Sequence, residues 1–301
     1  MKKGEQYLFF SVLVILLLAL VLLVAQRVRG SDAPRVYRVS VLLAGTEGNS
    51  WRNFRAGMNQ AALEQNVDLR FVTRYDAGLT QADALRREWE GEADGVVLLP
   101  ADGEALARTL EEAPSGLAVC VVGPALSSDR VDCYVSPDYE RMGRSLAEAV
   151  AGRGEQCILY LSSSPSPSAG LIAAGLEAEL AECGIPLLRQ TAQEGIPLFP
   201  PAQGALVGVE PLIAEALCAA SGAAGRVYGA GLSDGLLRAL EDSSAAALLV
   251  QSDFDAGYLS LSRVVAQLTQ QKPENAVLES YTATGENMFE YPMSDILFSS
   301  Y

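Results

Sequence analysis

Apolar and polar positions divide the chain into two regimes. Lys2 and Lys3 precede a run from Leu8 to Ala25 in which Ser11 is the only polar residue. As a helix this run rises roughly 27 Å, close to the thickness of a bilayer's hydrocarbon core. It is longer than the usual apolar core of a signal peptide, and no convincing A-x-A cleavage site follows it, so an uncleaved N-terminal anchor is expected over residues 1–30, with a cleaved signal peptide as the alternative. No cysteine stands near its end for a lipid attachment. Arg27 and Arg29 balance Lys2 and Lys3, so flanking charge alone does not orient the segment. Its position before a long soluble region points to a single-pass protein of the cell membrane whose soluble domain is extracytoplasmic.

After a linker at Gly30–Pro34 the pattern changes. Apolar runs of strand length alternate with longer amphipathic runs, the pattern of βα units around parallel sheets. Strands are expected at Val36–Leu43, Val67–Val72, Gly95–Pro100 and Ala118–Gly123, with helices at Trp51–Gln65, Gln81–Glu90 and Glu104–Glu112. The strands are almost continuously apolar, so both of their faces are expected to be covered. Ser136 and Pro137 read as the cap and first turn of a further helix. The plan then repeats, with strands at Gln156–Leu161, Ala205–Val209, Arg226–Ala230 and Ala246–Gln251 and helices at Gly170–Cys183, Pro211–Ala220 and Asp234–Asp242. The expected fold class is therefore α/β, two Rossmann-like lobes with parallel sheets behind an N-terminal transmembrane helix. Ser162–Ser168 and Gly195–Gly204 are rich in Pro, Ser and Gly and read as loops.

Composition narrows the function. The net charge of -15 disfavours nucleic acid, whose phosphates require clustered Lys and Arg. Histidine is absent, which removes the commonest general base, a usual zinc ligand and every Ser-His-Asp arrangement. Cys120, Cys133, Cys157, Cys183 and Cys218 form no C-x-x-C pair. Cys120 and Cys157 sit in apolar runs and read as small buried thiols, and a disulfide stays open if the compartment oxidises. No enzyme activity, metal or cofactor is expected.

Gly229-Ala230-Gly231 lies between a strand and a helix, but the third glycine of a dinucleotide fingerprint would fall at Asp234, whose charge repels a pyrophosphate. Asp253 and Asp255 read as helix-start carboxylates facing the positive end of the dipole. The turn Gly45–Trp51 sets polar groups beside a large aromatic, a combination that binding clefts use.

Several segments together resemble the sugar-binding branch of the type I periplasmic-binding-protein superfamily, which includes ribose-binding proteins. They are VSVLLAGTEGNSWRNFRAGMNQAA from Val39, ADGVVLLPAD ending at Asp102, VSPDYERMGRSLAEAV from Val135, SDGLLRALED from Ser233, and ALLVQSDFDAGYLSLSRVV from Ala247. The resemblance implies two lobes joined by a three-strand hinge, with crossings near Ser136, Gln251 and Tyr281, that close on a small ligand. It implies an N-terminal lobe from 35–136 and 252–280 and a C-terminal lobe from 137–251 and 281–301. The implied function is capture of a small, sugar-like molecule or derivative for an ABC transporter or a sensor kinase, with a membrane permease or kinase as partner.

Trp51, Asp102, Ser136, Asp138 and Gln251 keep family-like chemistry; Glu47, Asn49 and Glu210 complete the candidate ligand-binding residues. Elsewhere the chain departs from the pattern. Pro124-Ala125 replaces an Asp-Arg pair, Gly170 an arginine, Val209-Glu210 an Asn-Asp pair, and Ala230 an aspartate. Each unmade hydrogen bond in a buried site costs about 1–3 kcal/mol, so a less polar or differently decorated ligand than a plain pentose or hexose is expected. The alternative is a degenerate lobe pair that binds no solute and serves as a protein-interaction partner of a membrane sensor or transporter.

Overall fold

The computed structural model describes residues 13–19, 35–43, 48–72, 79–152, 156–193, 198, 200–201, 203–220 and 222–298. The chain divides into two units, Met1–Val36 and Tyr37–Tyr301. In the first, residues 13–19 are helical. Most of the expected anchor, and the linker at Gly30–Pro34, lie outside the described residues. Among the described residues no helix is long and apolar enough to cross a membrane.

The second unit holds two sheets. The first half of the chain supplies β1 (Tyr37–Leu42), α1 (Gly48–Gln65), β2 (Val67–Val72), α2 (Gln81–Glu90), β3 (Gly95–Leu98), α3 (Gly103–Leu110), β4 (Ala118–Val122) and β5 (Cys133–Pro137). There follow α4 (Tyr139–Ala151), β6 (Cys157–Ser162), α5 (Pro167–Glu182), β7 (Leu187–Ala192), β8 (Ala205–Gly208), α6 (Pro211–Ala219), β9 (Val227–Ala230), α7 (Asp234–Glu241) and β10 (Ala245–Gln251). The chain ends with α8 (Asp253–Leu268), β11 (Ala276–Leu278), β12 (Ser280–Ala283) and α9 (Met293–Phe298).

One sheet runs β11-β5-β4-β3-β1-β2 and the other β12-β10-β9-β8-β6-β7. In chain order both grow outward from their first strand in the same way, so the repetition expected from the sequence is present. The first sheet is parallel throughout; the second has one antiparallel pair, β10 with β12. Central strands such as β3 and β8 are buried at every residue, whereas the edge strand β2 alternates between half-buried and exposed.

Three passages carry the chain from one sheet to the other. After β5 it leaves the first sheet, and Met142, Leu146 and Val150 of α4 pack into the core of the second with Leu159, Val207 and Leu249. After β10 it returns, and Ala256, Leu261 and Val264 of α8 join Val39, Val41 and Val97. Between Leu278 and Ser280 it crosses again, from β11 to β12.

Each lobe contains one helix pair packed backbone to backbone. In the first, a Cβ on Gly57 of α1 would overlap the carbonyl oxygen of Phe254, and one on Gly257 of α8 would overlap that of Phe54. In the second, a Cβ on Gly143 of α4 would overlap the Ile172 carbonyl oxygen, and one on Gly175 of α5 that of Glu140. Only glycine permits so close an approach.

Several local expectations are corrected. The cap of α4 is Asp138, whose carboxylate accepts from the Arg141 amide at 3.0 Å; Ser136 and Pro137 instead finish β5. Asp caps as well as Ser does, and it stands where the chain turns after pairing with β11. Ser162 belongs to β6 and Pro167 opens α5 behind its cap Ser166, so the loop between them is shorter than SSSPSPS suggests. Most of Gly195–Gly204 lies outside the described residues. All five cysteines are free, with Cys120, Cys133 and Cys157 buried. Cys120 and Cys133 are register partners on β4 and β5. Their mutual hydrogen bond and the burial of the site hold the Cys120 thiol well above its ordinary range.

Candidate binding cleft between the lobes

Parallel βα units place every strand's carboxyl end on the same edge of its sheet, the edge where open α/β sheets bind ligands. Here those edges face each other across two adjoining cavities. One, of about 270 Å³, lies mainly against the second lobe and is lined by Tyr139, Met142, Val209, Glu210, Ala230 and Leu249, among others. The other, of about 300 Å³, lies mainly against the first lobe and is lined by Leu43, Trp51, Phe54, Leu99, Val122 and Pro137, among others. Ser50, Tyr139, Gln251 and Asp253 border both.

Gly231 and Gly123 shape the walls. Gly231 ends β9 at φ +91°, and a Cβ there would press on Pro211 at 2.9 Å. This explains the Gly-Ala-Gly sequence as a strand-end turn bordering the cleft. Gly123 ends β4 at φ +124°.

Asp253 is a strongly perturbed group in the cleft. The residue keeps some surface, but its carboxyl is desolvated, and burial pushes its pKa up to about 6 despite hydrogen bonds with Ser50 and Gln251 that act to lower it. The Gln251 Oε1 is buried without a hydrogen-bond partner. Burial also pushes the Tyr139 phenol up to about 12, so it stays protonated as a donor at neutral pH.

Asp253 makes stability depend on pH in a definite direction. The folded protein holds this proton more tightly than the unfolded chain does. The resulting stabilisation is complete below the ordinary value of 3.8 and is lost as the pH rises through about 6. An Asp253→Asn variant is expected to escape that loss. Relative to wild type it should gain about 1–3 kcal/mol between about pH 4 and pH 7 in urea unfolding. Parallel pH profiles for the two proteins would contradict the assignment.

The sequence candidates fall in different places. Gln251 borders both cavities, Glu210 the first and Trp51 the second. Glu210 stands at the start of α6 without capping it. Its carboxylate accepts instead from the Ser162 amide at 2.8 Å and hydroxyl at 3.1 Å, which ties the ends of β6 and β8 together. Trp51 is half-buried, stacked on Phe54 and edge-on to Phe71. Asp102 and Asp138 are exposed and cap α3 and α4. Neither they nor Ser136 line the two cavities. Asn49 falls in the first turn of α1, and Glu47 lies outside the described residues.

Ser50, Tyr139 and Asp253 were not among those candidates. Ser50 lies within the aromatic turn already singled out. Asp253 reads in sequence as a helix-start carboxylate, and what sequence could not supply was the burial of its carboxyl beside Ser50 and Gln251. The lobes also touch outside the cavities. Arg52 on α1 lies 3.6 Å from Asp234 on α7, and the Asn53 amide donates to the Ile296 carbonyl at 3.4 Å.

A periplasmic binding protein domain matches residues 39–196. No curated protein matches the sequence. Among solved structures, a carbohydrate transporter solute-binding protein from Agrobacterium radiobacter in complex with D-arabinose is 17% identical, with a TM-score of 0.74 over 89% of this chain and 100% of that one. A periplasmic ribose ABC transporter structure from Conexibacter woesei is 20% identical, with a TM-score of 0.73 over 88% and 96%. An ABC transporter solute-binding protein from Agrobacterium vitis bound with alpha-D-tagatopyranose is 16% identical, with a TM-score of 0.74 over 88% and 100%. At these identities the likeness establishes the fold of two α/β lobes.

Proposed function

Because the chain belongs to the periplasmic binding protein family, we propose that it is a capture protein rather than an enzyme, enclosing a small polar solute between its lobes. One observation carries this reading: the strand ends of both sheets converge on a shared cleft bordered by Ser50, Tyr139, Gln251 and Asp253. Two of the solved relatives named above hold sugars, which supports a sugar-like or sugar-derived solute here. The three passages after β5, after β10 and between β11 and β12 would act as the hinge, since a few residues at element ends can absorb a closing motion. The run Leu8–Ala25 would anchor the protein to the membrane with this unit outside the cell. There it would pass its solute to an ABC permease or report it to a sensor kinase.

A second reading is favoured by the polar groups the cleft lacks. Ala230 and Val209 line it with apolar side chains, and Gly170 is exposed with no heavy atom within 4 Å of a Cβ built there. On this reading the lobe pair binds no solute and serves as a partner of a membrane sensor or transporter.

A thermal-shift screen of the full chain in detergent against sugars, sugar derivatives, polyols and amino acids separates the two. Solute capture requires at least one stabilising hit, and Trp51→Ala should abolish the shift while the protein remains folded. A screen without hits supports the second reading, and an undiminished shift in Trp51→Ala removes Trp51 from the site.

A further inference from the structure

The charges lining these two cavities are all of one sign. Asp253 and Glu210 border them, and no Lys or Arg is found among the described residues lining either cavity. Glu210 draws its hydrogen bonds from Ser162, and Asp253 from Ser50 and Gln251. Both carboxylates are therefore held in place by neutral groups, with no cation among the described residues lining the two cavities to balance them. A desolvated carboxylate without a counter-charge is costly and is retained most readily where something else supplies the charge. Arg52, which reaches across the lobes to Asp234, is two-thirds exposed and lines neither cavity.

The unmade hydrogen bonds agree in kind. Gln251 Oε1 is a buried acceptor with no donor, at the position where both cavities meet. Helix N-termini bring partial positive charge to the same edge. However, the side chains of Asp138, Ser166 and Ser252 each already accept a first-turn amide of α4, α5 and α8. An anionic ligand would meet two carboxylates and a buried amide oxygen; a neutral one would leave the charge unbalanced.

We infer that the solute this cleft selects carries a protonated amine on a small polar frame, as an amino sugar or a hydroxylated amine does, seated between Asp253, Glu210 and the Gln251 carbonyl. This rests on the solute-capture reading and specifies its chemistry. It also gives a physical content to the missing arginine positions. Guanidinium groups would repel such a ligand, so a cleft for a cation is better without them.

Calorimetric titration of the full chain in detergent at neutral pH tests this with two matched series. The first is D-glucosamine, D-glucose and D-glucuronate; the second is ethanolamine, ethylene glycol and glycolate. In at least one series the amine is expected to bind roughly tenfold or more tighter than its neutral counterpart, and the acid weakest, as charge complementarity requires. Asp253→Asn should erase the amine's advantage while its unfolding transition stays cooperative. If no amine binds more tightly than its counterparts, the inference is overturned. If a neutral or acidic member then binds in its place, solute capture still stands; if the wider screen yields nothing either, that reading falls as well.

Discussion

Gly143→Val is expected to leave the second lobe unable to fold stably, and Gly57→Val to do the same to the first. At both positions the atom in the way is a backbone carbonyl of the partner helix, Ile172 for Gly143 and Phe254 for Gly57, so no rotamer change makes room. Overpacking a tight core costs about 1–3 kcal/mol and sometimes more. With backbone on both sides the cost should reach or pass the upper end, a large share of the roughly 5–15 kcal/mol that holds a domain together. Parting α4 from α5 would also expose Leu146, Ile172 and Leu176, all buried in one core. Gly170→Ala on α5 is the control. Nothing lies within 4 Å of a Cβ there, so better helix propensity should leave stability unchanged or raised by up to about 1 kcal/mol. Urea unfolding of the three variants is the measurement, and a Gly143→Val protein as stable as wild type would refute the backbone contact.

The second large effect concerns Gln251. Its side chain hydrogen-bonds Asp253, its Oε1 is buried without a partner, and the residue borders both cavities, so truncation is expected to remove a contact to the carboxylate and one to the solute together. Gln251→Ala should weaken binding of any solute identified by the screen by about 10- to 100-fold, the equivalent of roughly 1–3 kcal/mol. The fold should change little, because the residue ends a strand whose core contacts come from Leu248, Leu249 and Val250. Calorimetry on the variant reads this directly, and unchanged affinity would place the solute elsewhere.

The alternation of apolar strands and amphipathic helices was legible because central parallel strands are covered on both faces and so read as unbroken apolar runs, as β3 and β8 do. The strands that escaped notice lack that signature for physical reasons. β7 is an edge strand whose LLRQTA residues are mostly exposed, and β12 is a short polar SYTA segment paired antiparallel to β10. β5 ends in Ser-Pro, which looks like a helix start until its pairing with β11 is seen. In the cleft, Gln251, Glu210 and Trp51 were within reach because each follows a strand or opens a helix at the binding edge. Asp102 and Asp138 satisfied the same pattern but spend their carboxylates on helix caps. Tyr139 and Asp253 gain their place beside both cavities from tertiary packing, which no local pattern encodes.

A crystal structure of the full chain or its Tyr37–Tyr301 unit, grown with the most stabilising solute from the screen, tests the central claim most directly. Density for one solute molecule is expected between Ser50 and Asp253 on one side and Tyr139 and Glu210 on the other, with the lobes drawn together about the three chain passages. Solute bound on an outer face, with the cleft between the strand ends left vacant, would contradict it.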